Sequence, residues 1–322
     1  MDSLPNELLL EVFSWLQDGE TLLDGVALVC KRWHALSRDP QAWRGVRVEF
    51  GMLDWHWRDA GLAESEKAAM DKARIVLHAP VLRYLGWSWN YRGPPHINVP
   101  QGMALSAVRR SRAAIREIYM SLVSHMANPA WAVFHGLLWR NREHLTSLRL
   151  ETPSDRKEEV HIFRSEAVAS EECDWALEED QSDKVAAWAE ADGDDSRSLL
   201  EILVELRCLQ SLDLLMHRPS YAGEFRVKED LLPALRSLRL DGKAPPQLMV
   251  DLVRGSAARL RHLDMPDGHG LGGHDILPPQ LLESVSQCVQ LRSLATSLMN
   301  VGCVVGLRHL RRLELWLPYE EL

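Results

Sequence analysis

The side chains that most often carry chemistry are present in this chain but are not arranged for it. Five cysteines lie far apart, at Cys30, Cys173, Cys208, Cys288 and Cys303, and no CxxC pair occurs. The 13 histidines lack metal-ligand spacing, and neither a GxSxG nor an HExxH motif is present. We therefore expect no catalytic residue, no metal site and no cofactor. The thiols should be reduced, with Cys30 on the buried side of a helix.

Carboxylates are concentrated in one segment. Between residues 151 and 197, 16 acidic residues face 5 basic ones, a net charge of −11 against −9 for the whole chain. We interpret residues 151–198 as a solvated insertion; a lure for a basic target and a divalent cation site are the alternatives. Asp192 to Asp195 do not complete a calcium-binding loop. The negative net charge argues against a nucleic-acid partner.

The N-terminal residues are predicted to form a small helical module. Ser3 and Pro5 suit a helix start, and apolar residues then recur at helical spacing on two faces. Gly19 interrupts the pattern, and a second helix is predicted to run up to Asp39 and Pro40. These residues could simply form the core of a helical hairpin. However, so short a module is marginal alone, so we expect it to complete its core against another protein.

The anchored positions of the module form an ordered motif. It reads Leu4-Pro5-x-Glu7-Leu8-Leu9-x-x-Val12-Phe13-x-x-Leu16, then Val26-Ala27-Leu28-Val29-Cys30-Lys31-Arg32-Trp33-His34, then Asp39-Pro40-x-x-Trp43. This motif resembles the F-box. The resemblance implies that residues 1–45 form a three-helix F-box that binds the Skp-type adaptor of a cullin–RING ubiquitin ligase. It also implies that the following residues face the adaptor or support that face: Leu4, Pro5, Leu8, Leu9, Val12, Leu16, Val29 and Trp33.

A second pattern, Leu-x-x-Leu-x-Leu, recurs after the module. Clear copies begin at Leu145, Leu209, Leu235, Leu260, Leu291 and Leu310, and weaker copies begin at Leu82 and Ile115. The Leu-x-Leu part has strand period, and amphipathic helical stretches lie between copies. Strand plus helix in each copy resembles a leucine-rich repeat, whose units bury their leucines only by stacking. Residues 46–322 are therefore predicted to form an irregular α/β leucine-rich-repeat solenoid, with a parallel row of eight or nine strands and outer helices.

The leucines of such an array are scaffold, so binding should depend on the side chains between them. These point outward from the strands, on the concave face. The candidates for binding a target protein are Tyr119, Arg149, Asp213, Arg239, Asp264 and Trp316.

These features together suggest a role without bond chemistry. We expect a non-catalytic substrate-recognition subunit of an SCF-type ubiquitin ligase, with cullin and RING protein reached through the adaptor and an unknown protein as substrate. A repeat scaffold without a degradation role is the first alternative, and an enzyme within the repeats is the second. No apolar run approaches the ~18 residues of a membrane helix, and acidic residues stand where a signal peptide has basic ones. We therefore expect a soluble protein in the cytoplasm, the nucleus or both, with no membrane or nucleic-acid partner.

Overall fold

The computed structural model describes eight stretches of the chain. They are residues 4–51, 62–88, 99–121, 128–151, 199–216, 231–242, 246–265 and 279–316. Apart from Glu151, the predicted acidic insertion lies outside them, as does Ser3, so their predicted roles stay predictions. No helix among these stretches is long and apolar enough to cross a membrane.

The fold is mixed α/β, with nine strands whose order in the sheet is their order in the chain. The strands are β1 (Arg47–Phe50), β2 (Val81–Ser88), β3 (Ala114–Ser121), β4 (Ser147–Glu151), β5 (Ser211–Met216), β6 (Ser237–Gly242), β7 (His262–Asp264), β8 (Ser293–Ser297) and β9 (Arg312–Trp316). The pairings that the structure describes, β1 with β2 and each neighbouring pair from β4 to β9, are parallel. Parallel neighbours need crossover connections, which accounts for the helices between most strands.

The helices are α1 (Asn6–Ser14), α2 (Ala27–Val29), α3 (Lys31–Leu36), α4 (Leu62–His78), α5 (Val99–Arg110), α6 (Asn128–Arg140), α7 (Leu199–Glu205), α8 (Pro246–Ser256) and α9 (Pro279–Ser286). A π-helix (Thr21–Val26) precedes α2, and a 3-10 helix (Leu298–Gly306) precedes β9. The described residues divide into two compact units. The N-terminal unit is drawn mainly from residues up to 144, and the C-terminal unit comprises the described residues from 145 onward.

The second helix predicted from the sequence is broken at Cys30. Its backbone is extended (φ −163°, ψ 168°), and its Sγ accepts a hydrogen bond from the Trp33 N–H at 3.5 Å. Cys30 therefore caps α3, as small polar side chains do at helix starts. The prediction that Cys30 lies on the buried side of a helix is wrong: Cys30 is exposed, because it stands between two helices with an extended backbone and does not continue either one.

The N-terminal helices are joined to the first strand by close packing. Trp43 is 1% exposed, and its indole Nε1 donates a hydrogen bond to the Ser37 carbonyl at 2.6 Å. At Gly45 the backbone approaches the Ser14 carbonyl so closely that a Cβ would collide with it. The Arg47 N–H of β1 then donates to the Gln17 carbonyl at 3.2 Å. The helical module and β1 therefore share one core.

Aromatic rings fill that core beneath the strands. The ring of Trp87 on β2 lies 5.0 Å from that of Phe50 on β1 and 5.4 Å from that of Phe134 on α6. All three side chains are fully buried. Their contacts tie two strands and a helix of the N-terminal unit together.

Buried Asn141 closes the end of α6. Its Oδ1 accepts a hydrogen bond from the Ile115 N–H at 2.7 Å, and its Nδ2 donates to the Leu137 carbonyl at 2.9 Å. Asn141→Ala takes the acceptor away from the buried Ile115 N–H, whereas the Leu137 carbonyl keeps its 3.1 Å bond from the backbone N–H of residue 141. We expect the free energy of unfolding to fall by about 1–3 kcal/mol. Urea unfolding monitored by circular dichroism measures this. Glu143→Ala, at an exposed neighbour, is the control and should change stability little; equal effects would contradict the assigned bonds.

The C-terminal unit repeats one backbone contact from strand to strand. At the second position of each Leu-x-x-Leu copy, a carbonyl accepts two N–H groups from the start of the next strand. The accepting residues are Thr146, Gln210, Arg236, Arg261 and Arg292, with N···O distances between 2.8 and 3.0 Å. The flanking leucines of β4 to β7 are buried. On β9, however, Leu313 and Leu315 are partly exposed, because among the described strands β9 has a neighbour on one side, β8.

One buried carboxylate of the C-terminal unit has only one of its two oxygens paired within the described stretches. Asp251 on α8 is 5% exposed; its Oδ1 accepts from Gln247 Nε2 at 3.0 Å, and its Oδ2 has no partner within the described stretches. Desolvation by burial raises the pKa of this carboxyl, and the Gln247 bond and Arg254 only partly offset that rise.

The raised pKa of Asp251 makes the stability of the folded protein depend on pH. The folded protein holds the Asp251 proton more tightly than the unfolded chain, so stability falls as pH rises from the unfolded pKa through the folded one. Asp251→Asn keeps the bond from Gln247 and removes the charge, and we expect it to stabilise the protein at pH 7 by about 1 kcal/mol. Urea unfolding at pH 7 and pH 3.5 checks this. A stabilisation as large at pH 3.5 as at pH 7 would contradict it.

Candidate functional site

Apolar side chains are exposed on the N-terminal helices. The set comprises Leu4, Leu8, Val12, Trp15, Leu28 and Val29, called the apolar surface below. Trp15 is 76% exposed and Leu28 is 78% exposed. Helices of a soluble protein rarely expose so many large apolar residues together, and such a patch marks an interaction surface.

Helix α1 exposes one face because it buries the opposite one. Leu9 and Phe13 point into the core of the N-terminal unit and are 3% and 2% exposed. Leu8, Val12 and Trp15 lie at i, i+4 and i+7 and so share the outer face. The side of α1 that packing leaves uncovered is therefore as apolar as the side it buries.

Trp15 is held at the end of this face by a polar contact. Its indole Nε1 donates to the Glu11 carboxylate at 3.0 Å. Arg44 also pairs with Glu11, at 2.5 Å. The hydrogen bond from Trp15, aided by the positive charge of Arg44, lowers the pKa of Glu11. The indole therefore keeps its orientation while most of its ring remains open to a partner.

Helix α3 brings the second part of the apolar surface to the start of α1. Arg32 Nε donates to Asn6 Oδ1 at 2.9 Å, and its Nη2 donates to the Leu4 carbonyl. The ring of Trp33 meets that of Phe13 edge to face, with centroids 5.2 Å apart. Val29 lies only three residues before Arg32, so these bonds fix where α2 stands relative to α1.

The eight residues implied by the F-box resemblance occupy three environments. Leu4, Pro5, Leu8, Val12 and Val29 are exposed, Leu16 and Trp33 are half-buried, and Leu9 is buried. The exposed ones can contact a partner, whereas Leu9 and Trp33 hold the helices beneath them. Sequence reasoning omitted Trp15 and Leu28, the most exposed of the apolar surface. Trp15 could have been found from its i+7 spacing from Leu8, which puts both on one helix face. No pattern in the sequence indicated Leu28.

The candidate target-binding residues of the C-terminal unit form a ladder of ion pairs. Arg149, Asp213, Arg239 and Asp264 occupy the same register position on β4, β5, β6 and β7. Asp213 lies 3.4 Å from Arg149 and 4.0 Å from Arg239, and Arg239 lies 3.4 Å from Asp264. Their charges alternate, so each compensates its neighbour. Exposed pairs of this kind contribute little stability, and the ladder presents no strong net charge to a ligand.

The two remaining target-binding candidates lie elsewhere. Tyr119 is half-buried on β3, in the N-terminal unit. Trp316 ends β9, and its side chain lies outside the described part. The structure therefore brings four of the six candidates together and pairs them with one another, and Arg149 also lies 3.8 Å from Glu151.

Of the four described cysteines, Cys30 and Cys208 are exposed, and Cys288 and Cys303 are buried. No cluster of three or more His, Cys, Asp or Glu side chains in those stretches could hold a metal ion. Burial raises the pKa of Cys288 to about 12, with a smaller contribution from Cys303. Burial also raises the pKa of Cys303. Neither thiol is therefore a nucleophile at neutral pH.

Comparison with known proteins assigns a class to the N-terminal part. Residues 1–49 match the F-box-like family, the region that carries the apolar surface. F-box domains generally bind Skp-type adaptors, so the match indicates a general adaptor-binding role in ubiquitin ligation. No curated protein shows significant sequence similarity to the chain.

Proposed function

We propose that this protein is the substrate-recognition subunit of an SCF-type ubiquitin ligase. The apolar surface of α1 and α2, within the F-box-like region, carries the proposal. Fully burying one large apolar side chain is worth roughly 1.5–3 kcal/mol. Several such side chains in one surface supply enough for a stable interface once the cost of association is met.

The second half of the proposal concerns the strands and helices that follow. Their recurring carbonyl contacts and buried leucines support a leucine-rich-repeat array. In such an array each unit stacks only on its neighbours and the strand row offers a long surface. We propose that this surface holds a target protein. The ligase then acts by proximity: tethering raises the effective concentration of a target lysine near the charged ubiquitin carrier. No residue of this chain takes part in bond formation.

The decisive experiment is binding to the adaptor. The purified full chain is titrated with a Skp-type adaptor by isothermal calorimetry, beside a Leu4→Ala, Pro5→Ala, Leu8→Ala variant. Saturable binding by the wild type, lost in the variant, supports the proposal. Absence of binding by a folded wild type would overturn it. Co-purification of cullin and RING protein from cells in the cytoplasmic and nuclear fractions then tests the larger assembly and its location.

A repeat scaffold that holds proteins without a degradation role is the competing function, since the same row of strands would serve it. Deleting the F-box-like region would not separate the two, because Trp43 belongs to the core shared with β1 and the Gln17 carbonyl accepts the Arg47 N–H of that strand. The triple variant keeps that core. Slower turnover of a co-purifying protein in cells that express the variant supports the ligase subunit; unchanged turnover supports the scaffold.

A further inference from the structure

Four arginines stand in one row at the start of successive strands. The arginine column consists of Arg236, Arg261, Arg292 and Arg311, each one residue before β6, β7, β8 or β9. The N–H of Arg261 donates to the Arg236 carbonyl, that of Arg292 to the Arg261 carbonyl, and that of Arg311 to the Arg292 carbonyl, each at 2.8 Å. The four residues are thus direct neighbours across the strands, in a fixed register.

The side chains of the arginine column are available to a ligand. Those of Arg236, Arg292 and Arg311 are exposed, and that of Arg261 is half-buried. Within the described stretches none of the four has an ion-pair or hydrogen-bond partner for its guanidinium. Arg239, three residues after Arg236, is by contrast paired on both sides.

This arrangement costs stability in the free protein. Neighbouring strands are ~4.8 Å apart, and like charges directly opposite on neighbouring strands repel. An anion that bridges the column relieves the repulsion and gains charge-assisted hydrogen bonds, which the planar guanidinium makes readily with carboxylates.

We propose that the arginine column binds an acidic linear segment of a target protein. Three strand spacings give the column a length of roughly 14 Å, the span of about five residues of extended chain. Alternate residues of that chain lie about 6.7 Å apart, so three carboxylates on one side of it can cover the length of the four arginines. This inference deepens the target-holding half of the proposed function and rests on it, but its test needs no adaptor.

The surroundings of the column favour a peptide over a nucleic acid. Nucleic-acid affinity grows with the number of phosphates neutralised and needs an extended basic surface. Here Asp264 and Glu314 lie two residues into β7 and β9, and the whole chain has a net charge of −9. A short acidic segment can lie along the column without meeting those carboxylates, whereas a longer polyanion would be repelled.

The test measures binding of a fluorescein-labelled five-residue glutamate peptide to the full chain by anisotropy. The variant R236Q/R292Q/R311Q removes the three exposed charges of the column. The control R38Q/R110Q/R112Q removes three exposed charges of the N-terminal unit. Each exposed charge pair contributes a factor of about two to three, so we expect the column variant to bind about tenfold more weakly. The control should stay within about twofold of the wild type.

Three results would overturn the inference: no peptide binding by the wild type, equal losses in both variants, or tighter binding of an oligothymidylate of equal charge through the same arginines. If the triple variant does not fold, R292Q alone is tested, and we expect it to bind the peptide two- to threefold more weakly than the wild type. Adaptor affinity is measured on the same samples. Lost peptide binding with retained adaptor binding, or the reverse, tells which half of the proposed function has failed.

Discussion

Trp15→Ala is expected to weaken binding of the Skp-type adaptor by roughly 2 kcal/mol, or about thirtyfold in Kd, while leaving the protein's stability unchanged. The indole is 76% exposed, so the free protein loses almost no buried contact when it is removed. In a complex it would be the largest side chain of the apolar surface. Tryptophans in that position are often the residues that carry most of an interface's binding energy.

Isothermal calorimetry with the adaptor measures this loss. Met70→Ala is the matched control, because Met70 on α4 is an exposed apolar residue of the same unit but lies outside the apolar surface. Its variant should bind as the wild type does. Wild-type affinity in Trp15→Ala would show that the adaptor does not use the outer face of α1.

Trp43→Ala, unlike Trp15→Ala, should destabilise the free protein, with a loss of roughly 3–5 kcal/mol in the free energy of unfolding. The side chain is 1% exposed and fills the junction between the helical module and β1. Its removal leaves a cavity, and the Ser37 carbonyl loses the 2.6 Å hydrogen bond from Nε1. Because the whole N-terminal unit shares this core, the helices of the apolar surface should lose their order as well.

Urea unfolding measures the loss of stability in Trp43→Ala. Hydrogen exchange of residues 4–50 measures the loss of order in the helices. Protection there should fall in Trp43→Ala and remain in Trp15→Ala, so the two tryptophans serve as controls for each other. Adaptor binding should be weaker in both variants: Trp15→Ala removes a contact with the adaptor, and Trp43→Ala disorders the helices that bind it. An unchanged unfolding midpoint in Trp43→Ala would refute the shared core.

The strands were predictable because their signal is local. Each Leu-x-x-Leu-x-Leu copy contains both its strand period and the leucines that the next copy covers, so β4 to β9 fall where the copies do. The short strand Arg47–Phe50 alternates exposed and buried residues in the same way. The copies beginning at Leu145 and Leu209 are 64 residues apart, yet β4 pairs directly with β5. The two strands are therefore neighbours in the sheet despite that separation.

The break at Cys30 and the role of the outward charges were not predictable from period alone. Apolar residues on both sides of Cys30 keep helical spacing, whereas the break depends on a single capping contact to Trp33. Arg149 and Asp213 are also indistinguishable from ligand-binding residues until the register places them side by side. The arginine column could not be predicted from the sequence either. Arginines near the repeats are visible in the sequence, but their alignment follows only from which strands are neighbours.

The carbonyl contacts between strands have a consequence for how such a protein can change over generations. Successive accepting residues are 64 positions apart between Thr146 and Gln210 but only 25 apart between Arg236 and Arg261, and the contact is the same. Closing the longer loop costs only about 1 kcal/mol more than closing the shorter one. New segments can therefore be inserted between strands without disturbing the neighbouring units. A lineage can acquire new recognition sequences by insertion while its framework stays intact.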